Sequence, residues 1–178
     1  MIVFLTGFMG SGKSRIAREL AQKKGWKYID TDKEIEKQVH MSVREIFSEK
    51  GEPYFRSLEE EIIKGIGKIK SDCVAALGGG ALMSDRSLKF VLKTGLLIYI
   101  KSEAEAIYQR VRHTSKRPLL QENNNNLTKD KLLVKIKDLL EIREPGYAHA
   151  HLTIHRDNLE ADDVADQIIS FLEQQHYG

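Results

Sequence analysis

Eight residues near the N-terminus have the types and the spacing of a phosphate-binding loop. The segment from Gly7 to Ser14 reads GFMGSGKS and matches the pattern G-x-x-x-x-G-K-[ST]. Glycines in such a loop let consecutive backbone N–H groups turn toward phosphate oxygens, and the N-terminus of the following helix adds positive potential. Lys13 would neutralise the β- and γ-phosphates, and the Ser14 hydroxyl would bind Mg²⁺. The segment therefore predicts binding of ATP or a similar nucleotide together with magnesium.

The rest of the sequence narrows the class of nucleotide-dependent protein. A GTPase switch would need Asp-x-x-Gly and Asn-Lys-x-Asp, and neither pattern occurs in the sequence. At 178 residues the chain is also too short for the additional elements of most ATP-driven machines. These observations favour a small enzyme that transfers a phosphoryl group to a small molecule.

Three further groups of residues could bind the acceptor of that phosphoryl group. Asp30 and Asp32 follow a short apolar run, and such an acidic pair at a strand end can divide its roles between Mg²⁺ and a substrate hydroxyl. Arg56 offers a planar fork for a carboxylate or a phosphate, and Gly78 to Gly80 would let the backbone approach a ligand closely. Each signal is weak alone: Asp32 could merely cap a helix, the arginine could be solvated, and the glycines could form a plain turn.

Two more arginines lie in the second half of the chain. Arg117 begins the sequence Arg-Pro-Leu-Leu within a stretch, 113–126, that has no apolar period and ends in four asparagines. A loop of that length in a compact domain suggests a functional lid, which we place at about residues 111–127. Arg143 begins the sequence Arg-Glu-Pro-Gly-Tyr at the end of a predicted long helix.

The elements that must position these residues alternate between strand and helix. Capping boxes predict helix starts at Ser42 with Glu45 and at Ser102 with Glu105. Alternation of this kind indicates an α/β sandwich of parallel strands with helical crossovers. Apolar runs predict strands at 2–5, 27–29, 73–77, 95–100 and 152–154, and helical periodicity predicts helices at 13–24, 31–39, 42–50, 54–69, 102–110 and 163–174.

Composition agrees with a single soluble domain spanning residues 1–178, because a domain has roughly 150 residues. Hydrophobic residues make up 41% and charged residues 30% of the chain, and the formal net charge is only +2, so neither nucleic acid nor membrane is an expected partner. The N-terminus has no basic region before its apolar run and thus does not predict a secretory signal. The single cysteine, Cys73, cannot form an intramolecular disulfide, which favours the cytoplasm.

Taken in order, these motifs resemble the pattern of the shikimate kinase family from Phe4 to about Tyr147. The matching segments are GFMGSGKS, DTD, EIF followed by GE-x-x-FR, GGG, RPLL and R-x-P-x-Y. The resemblance implies transfer of the γ-phosphoryl group of ATP to the 3-hydroxyl of shikimate, in the pathway to the aromatic amino acids. It also implies a three-layer sandwich with a five-stranded parallel sheet, the P-loop fold of the nucleoside monophosphate kinases, and we expect a monomer.

The resemblance also assigns roles to individual residues. Asp32 would hold the ring hydroxyls and accept the hydroxyl proton, and Asp30 would reach Mg²⁺ through water. Lys13, Asp32 and Arg117 form the catalytic set. The residues implied in shikimate binding are Asp32, Arg56, Gly79, Gly80 and Arg143, with Phe47 and Phe55 as an apolar wall. Those implied in ATP binding are Gly10, Ser11, Gly12, Lys13, Ser14, Arg15, Arg110 and Arg117, and those implied in Mg²⁺ binding are Ser14 and Asp30.

The sequence departs from the family pattern at Arg15 and at Leu77, where threonine is more usual.

The sequence also leaves other functions open. A gluconate or nucleoside monophosphate kinase would share the phosphate loop, and the basic cluster formed by Arg110, Arg112, His113, Lys116 and Arg117 could bind nucleic acid. A metal site would need His149, His151 and His155 on one side of a strand, although a helix end is expected among them.

Overall fold

A computed structural model describes residues 1–112 and 128–176 of the chain. Within them five strands form one sheet in the order β2-β3-β1-β4-β5, and every neighbouring pair is parallel. The strands are β1 (Ile2–Thr6), β2 (Lys27–Asp30), β3 (Cys73–Ala76), β4 (Leu96–Lys101) and β5 (Leu152–His155). The predicted fold class, a sandwich built on a five-stranded parallel sheet, is confirmed.

Helices connect the strands, as parallel pairing requires. A short 3-10 helix, Ala81–Met83, follows the glycines after β3. The helices are α1 (Lys13–Lys24), α2 (Thr31–Val39), α3 (Val43–Glu49), α4 (Glu52–Ile66), α5 (Asp85–Thr94), α6 (Ala104–Val111), α7 (Lys129–Tyr147) and α8 (Ala161–His176). The sequence predictions omitted α5 and started α4 two residues late.

Two apolar layers hold the helices against the sheet. One face of the sheet packs on α1 and α8, with Val3, Leu5 and Ile98 among its buried residues. The other face packs on α4, α5 and the end of α7, and it includes Phe4 and Cys73. Alternate residues of β1 thus point to opposite layers, which explains why every residue of this central strand is buried.

One of the two predicted capping boxes is confirmed and the other is wrong. The Ser42 side chain accepts from the Glu45 N–H while the Glu45 carboxylate accepts from the Ser42 N–H, which starts α3. Helix α6 instead begins after Glu103 with no side-chain cap. Ser102 is buried, and its hydroxyl accepts a hydrogen bond from Arg110 at 3.0 Å, so it is not free to cap the helix.

The histidines proposed as a metal site do not form one. Helix α7 ends at Tyr147, and the Nδ1 atom of His151 accepts from the Leu97 N–H at 3.0 Å. Among the residues that the structure describes, no three His, Cys, Asp or Glu side chains are placed to hold a metal ion. In the same residues no helix combines the length and apolar character that crossing a membrane requires.

Candidate active site

The phosphate loop joins the carboxyl end of β1 to the first turn of α1. Gly12 is the residue before the helix and has φ 88°, a left-handed conformation that glycine adopts without steric cost. Lys13 is 8% exposed, and its Nζ atom donates to the carbonyls of Gly7 at 2.7 Å and Phe8 at 3.0 Å. The lysine ammonium is therefore held against the backbone of its own loop.

The other predicted residues of this loop differ in how exposed they are. Ser11 is buried, Ser14 is half-buried in the first turn of α1, and Arg15 is exposed beside it. Gly10 has φ 81°, and a Cβ atom there would lie 2.6 Å from Cγ1 of Val111, so the loop packs closely on α6. The structure thus brings the predicted loop residues Gly10 to Arg15 together.

The two aspartates after β2 take different positions. Asp30 is the N-cap of α2: its carboxylate accepts from the Lys33 N–H at 3.3 Å and from the Tyr28 hydroxyl at 3.1 Å. The helix is therefore capped by Asp30 and not by Asp32, the alternative raised from the sequence. Asp32 lies in the first turn of α2 and extends toward the glycines after β3, where its Oδ1 atom is 3.0 Å from the position of a Cβ on Gly78.

Each of the three glycines after β3 leaves room for a different charged group. A Cβ atom on Gly78 would collide with the Glu59 carboxylate, and one on Gly80 would collide with the Arg56 guanidinium, 2.8 Å from its Cζ. A Cβ on Gly79 would lie 3.2 Å from Nη1 of Arg143. The triple-glycine loop, Gly78 to Gly80, is therefore a close-packed surface on which acidic and basic side chains converge.

This triple-glycine loop also adjoins the phosphate loop. A Cβ atom on Gly79 would be 3.3 Å from the backbone nitrogen of Met9 and 3.4 Å from the carbonyl oxygen of Gly7. Thr31, which the sequence analysis did not single out, fixes the loop from the other side: its hydroxyl contacts the Ala76 carbonyl and accepts from the Gly78 N–H at 2.9 Å. The predicted donor and acceptor regions are thus immediate neighbours.

Arg143 is the most deeply buried of the predicted substrate-binding arginines. It lies on α7, is 3% exposed, and places its Cζ 5.2 Å from the centre of the Phe8 ring. Its Nη1 atom is buried and has no hydrogen-bond partner among the described residues. A buried guanidinium N–H without an acceptor is costly, so this side chain is suited to a negatively charged ligand that enters the site.

Arg56 is tied to two glutamates on its own helix, α4. Its Nη1 donates to Glu59 at 2.7 Å, while Nε and Nη2 donate to Glu52 at 3.1 and 2.9 Å. Glu59 was missed by the sequence analysis, although its spacing of three residues from Arg56 on a helix is that of an ion pair. This pair orients the arginine toward Gly80.

Glu59 is an acid in an unusual environment. It is 2% exposed, and its Oε1 atom has no hydrogen-bond partner among the described residues. Burial raises the pKa of Glu59 from 4.5 to about 7, the charge of Asp32 acts in the same direction, and Arg56 opposes both. The site therefore contains a group that changes its charge near neutral pH.

Of the remaining predicted residues, the structure describes Arg110, Phe47 and Phe55 but not Arg117. Arg110 on α6 donates to Ser102 and, at 3.3 Å, to Asp157 after β5. The rings of Phe47 and Phe55 lie 4.9 Å apart, with Phe55 buried among α2, α3 and α4. Arg117 and most of the predicted lid, at about 111–127, lie outside the described residues, since 113–127 are not among them.

Comparisons with known proteins identify a family for the chain. The model of the shikimate kinase family matches residues 9–173. A shikimate kinase of Chloroherpeton thalassium is 43% identical over 85% of this chain and 81% of its own length. A second, from Chlorobaculum parvum, is 39% identical over 97% of this chain and 92% of its own length.

A solved structure agrees as well. Shikimate kinase from Acinetobacter baumannii, in complex with shikimate, superimposes with a TM-score of 0.89 at 32% identity. The match covers 98% of this chain and 93% of that one. The likeness therefore extends over nearly the full length of both chains.

Proposed function

The chain belongs to the shikimate kinase family, and we propose that the residues described above carry out that family's reaction. The enzyme transfers the γ-phosphoryl group of ATP to the 3-hydroxyl of shikimate, giving shikimate 3-phosphate and ADP. The observation that supports our assignment best is the contact between the phosphate loop and the triple-glycine loop, since a donor and an acceptor of a phosphoryl group must meet.

On the nucleotide side, the phosphate loop holds the triphosphate. The Lys13 ammonium exchanges the carbonyls of Gly7 and Phe8 for phosphate oxygens and stabilises the negative charge that develops during transfer. Backbone N–H groups of Gly10 to Ser14, at the N-terminus of α1, add positive potential that stabilises the same negative charge. Arg15 and Arg110 would contact the rest of the nucleotide, and Arg117 would reach its phosphates.

On the acceptor side, two arginines hold the shikimate carboxylate. Arg143 donates from the Nη1 atom that has no partner among the described residues, and Arg56 approaches over Gly80. The backbone at Gly79 and Gly80 lines the site, and Asp32 takes the proton of the 3-hydroxyl. The substrate O–H bond breaks as the new O–P bond forms, and the bond between the γ-phosphorus and ADP breaks.

A magnesium ion is the expected companion of ATP. Its ligands in proteins are oxygen atoms, and the site offers the Ser14 hydroxyl together with the Asp30 carboxylate at the carboxyl end of β2. These residues fit the ion: Ser14 would bind it directly and Asp30 through water. The ion supplies neutralisation of phosphate charge, while the protein residues set the position of the two substrates.

Three broader features accompany this proposal. We expect the chain to act as one domain with a lid at about residues 111–127. We also expect a monomer. The cytoplasm is its expected location, supported by a single cysteine that is free and buried.

The deciding experiment is ADP release from ATP and Mg²⁺ with shikimate, beside parallel reactions with gluconate, with AMP and without an acceptor. Release that requires shikimate supports the proposal, as does phosphorus NMR that places the new ester on the 3-hydroxyl. Release that gluconate or AMP stimulates equally would overturn the acceptor-site assignment. 3-Deoxyshikimate would make a matched negative control, because it keeps the ring and the carboxylate and lacks the accepting hydroxyl.

A further inference from the structure

Arg156, the first residue after β5, lies against the phosphate loop although no sequence motif includes it. Its backbone N–H donates to the Lys101 carbonyl at 2.9 Å, which fixes it at the carboxyl edge of the sheet. Its guanidinium covers Gly12: a Cβ atom on that glycine would lie 2.8 Å from Nε and 3.2 Å from Nη2. The cationic guanidinium therefore lies over Gly12, the residue that precedes Lys13.

The guanidinium of Arg156 is incompletely satisfied. Its Nε atom is buried and has no hydrogen-bond partner within the described part of the chain. Leaving a buried charged donor without an acceptor costs free energy, and an anionic ligand would recover it. Packing alone does not require a guanidinium at this point, because an apolar side chain could cover Gly12 without that cost.

The surrounding charges are also predominantly positive. Burial lowers the pKa of Arg156, the nearby Arg110 and Arg15 lower it further, and Glu160 and Asp157 act in the opposite direction. Asp157 is already engaged, since its carboxylate accepts from Arg110 and from the Glu103 N–H at 2.7 Å. The three arginines outnumber the two nearby carboxylates, Asp157 and Glu160, and the excess positive charge attracts an anion.

We propose that Arg156 binds the nucleotide, donating from its guanidinium to phosphate oxygens of the chain that the phosphate loop holds. This inference rests on the proposed function of that loop. The assignment to phosphate follows from position, because the guanidinium lies over Gly12 of the loop and Arg110 and Arg15 add positive charge nearby. Arg156 would then strengthen ATP binding without touching shikimate.

The test is calorimetric titration of ATP with Mg²⁺, without shikimate, into the wild type and Arg156→Ala. Loss of a charge-assisted hydrogen bond should raise the Kd for ATP about ten- to a hundredfold. Arg156→Lys, which keeps the charge, should raise the Kd for ATP less than Arg156→Ala does. The Kd for shikimate should change less than about twofold. Arg18→Ala is the matched control, since Arg18 is exposed on α1 and lies over the Tyr28 ring.

Two results would overturn the inference. One is an ATP affinity of Arg156→Ala and Arg156→Gln within twofold of the wild type at equal unfolding temperatures. The other is a variant that loses affinity for ATP but keeps its affinity for inorganic tripolyphosphate, which would place the contact on the base or ribose. A wild type that binds no ATP would instead contradict the proposed function, so the two failures are distinguishable.

Discussion

The Tyr147 hydroxyl donates a hydrogen bond to the carbonyl oxygen of Gly79, which ties the end of α7 to the triple-glycine loop. Tyr147 is fully buried, and its ring lies 4.8 Å from that of Tyr99. Because Arg143 precedes Tyr147 by one helical turn, the same bond fixes the arginine relative to the loop. Tyr147 is in this sense a positioning residue for the acceptor site.

Tyr147→Phe should therefore weaken shikimate binding while leaving the nucleotide side intact. We expect the KM for shikimate to rise about three- to tenfold, the KM for ATP to stay within twofold, and the unfolding free energy to fall by about 1 to 3 kcal/mol. Tyr99→Phe is the matched control, because its hydroxyl donates to Glu144 and not to the loop. Equal effects of both changes on KM would contradict the positioning role.

Lys13→Ala should remove turnover and leave the fold in place. The ammonium donates to backbone carbonyls of its own loop, and Lys13 is not among the residues of the two apolar layers that hold the helices on the sheet. We expect kcat to fall at least about a hundredfold, in line with the loss of a group that stabilises transition-state charge. Steady-state kinetics and circular dichroism measure the two effects, and near-normal activity would exclude the phosphate-loop assignment.

Asp32→Asn should lower kcat far more than it changes ATP affinity. The side chain reaches the triple-glycine loop, on the acceptor side, and the amide can no longer accept the hydroxyl proton. A general base of this kind contributes about a hundredfold or more. Steady-state kcat and calorimetry with ATP supply the comparison, and unchanged turnover would remove Asp32 from both proton transfer and positioning.

Arg143→Ala should raise the KM for shikimate about tenfold or more, because charge-assisted hydrogen bonds to a buried guanidinium contribute strongly. A neutral ligand gives an internal comparison: the variant should discriminate poorly between shikimate and its carboxamide, whereas the wild type should prefer the acid. Arg86→Ala, an exposed arginine of α5, is the control. An unchanged KM would show that the carboxylate binds elsewhere.

Glu59 should make stability depend on pH in the acid-to-neutral range. Its pKa is about 7 in the folded protein and near 4.5 when exposed, so the folded state binds the proton more tightly. This contribution is fully present below about pH 4.5 and is lost as the pH rises toward 7. The wild type should lose on the order of 2 to 3 kcal/mol from this group across that range.

Glu59→Gln should remove that part of the pH dependence, as urea unfolding at pH 5, 6 and 8 would measure. Glu61→Gln, on the exposed side of the same helix, should retain the wild-type profile. If wild type and Glu59→Gln show parallel profiles, the burial of a titrating carboxyl at this position is contradicted.

The phosphate loop was predictable because its chemistry is contained in eight consecutive residues between an apolar strand and an amphipathic helix. The candidate acceptor residues could be named together only through the ordered motifs that resemble a family. Glu59 and Arg156 were missed because what distinguishes them is non-local. Glu59 faces Gly78, and Arg156 faces Gly12, across large separations in sequence.

The errors have a similar cause. Ser102 and Glu105 have the spacing of a capping box, yet burial of Ser102 against Arg110 decides what the serine does. Helix α2 is capped by Asp30 because β2 continues to that residue, whose backbone is still extended. Local patterns identify which residues can cap, whereas the packing between elements determines which of them do.

The burial of Cys73 has a practical consequence for measuring motion. The chain has one cysteine, it lies in β3 beneath the helices, and burial raises the pKa of its thiol. Thiolate is the reactive form, so maleimide dyes should leave the native protein unlabelled. A second cysteine introduced at an exposed position such as Glu49 on α3 could then carry a fluorophore selectively, with the natural cysteine retained. The wild-type background is in this way already suited to fluorescence experiments that follow the acceptor half of the enzyme during turnover.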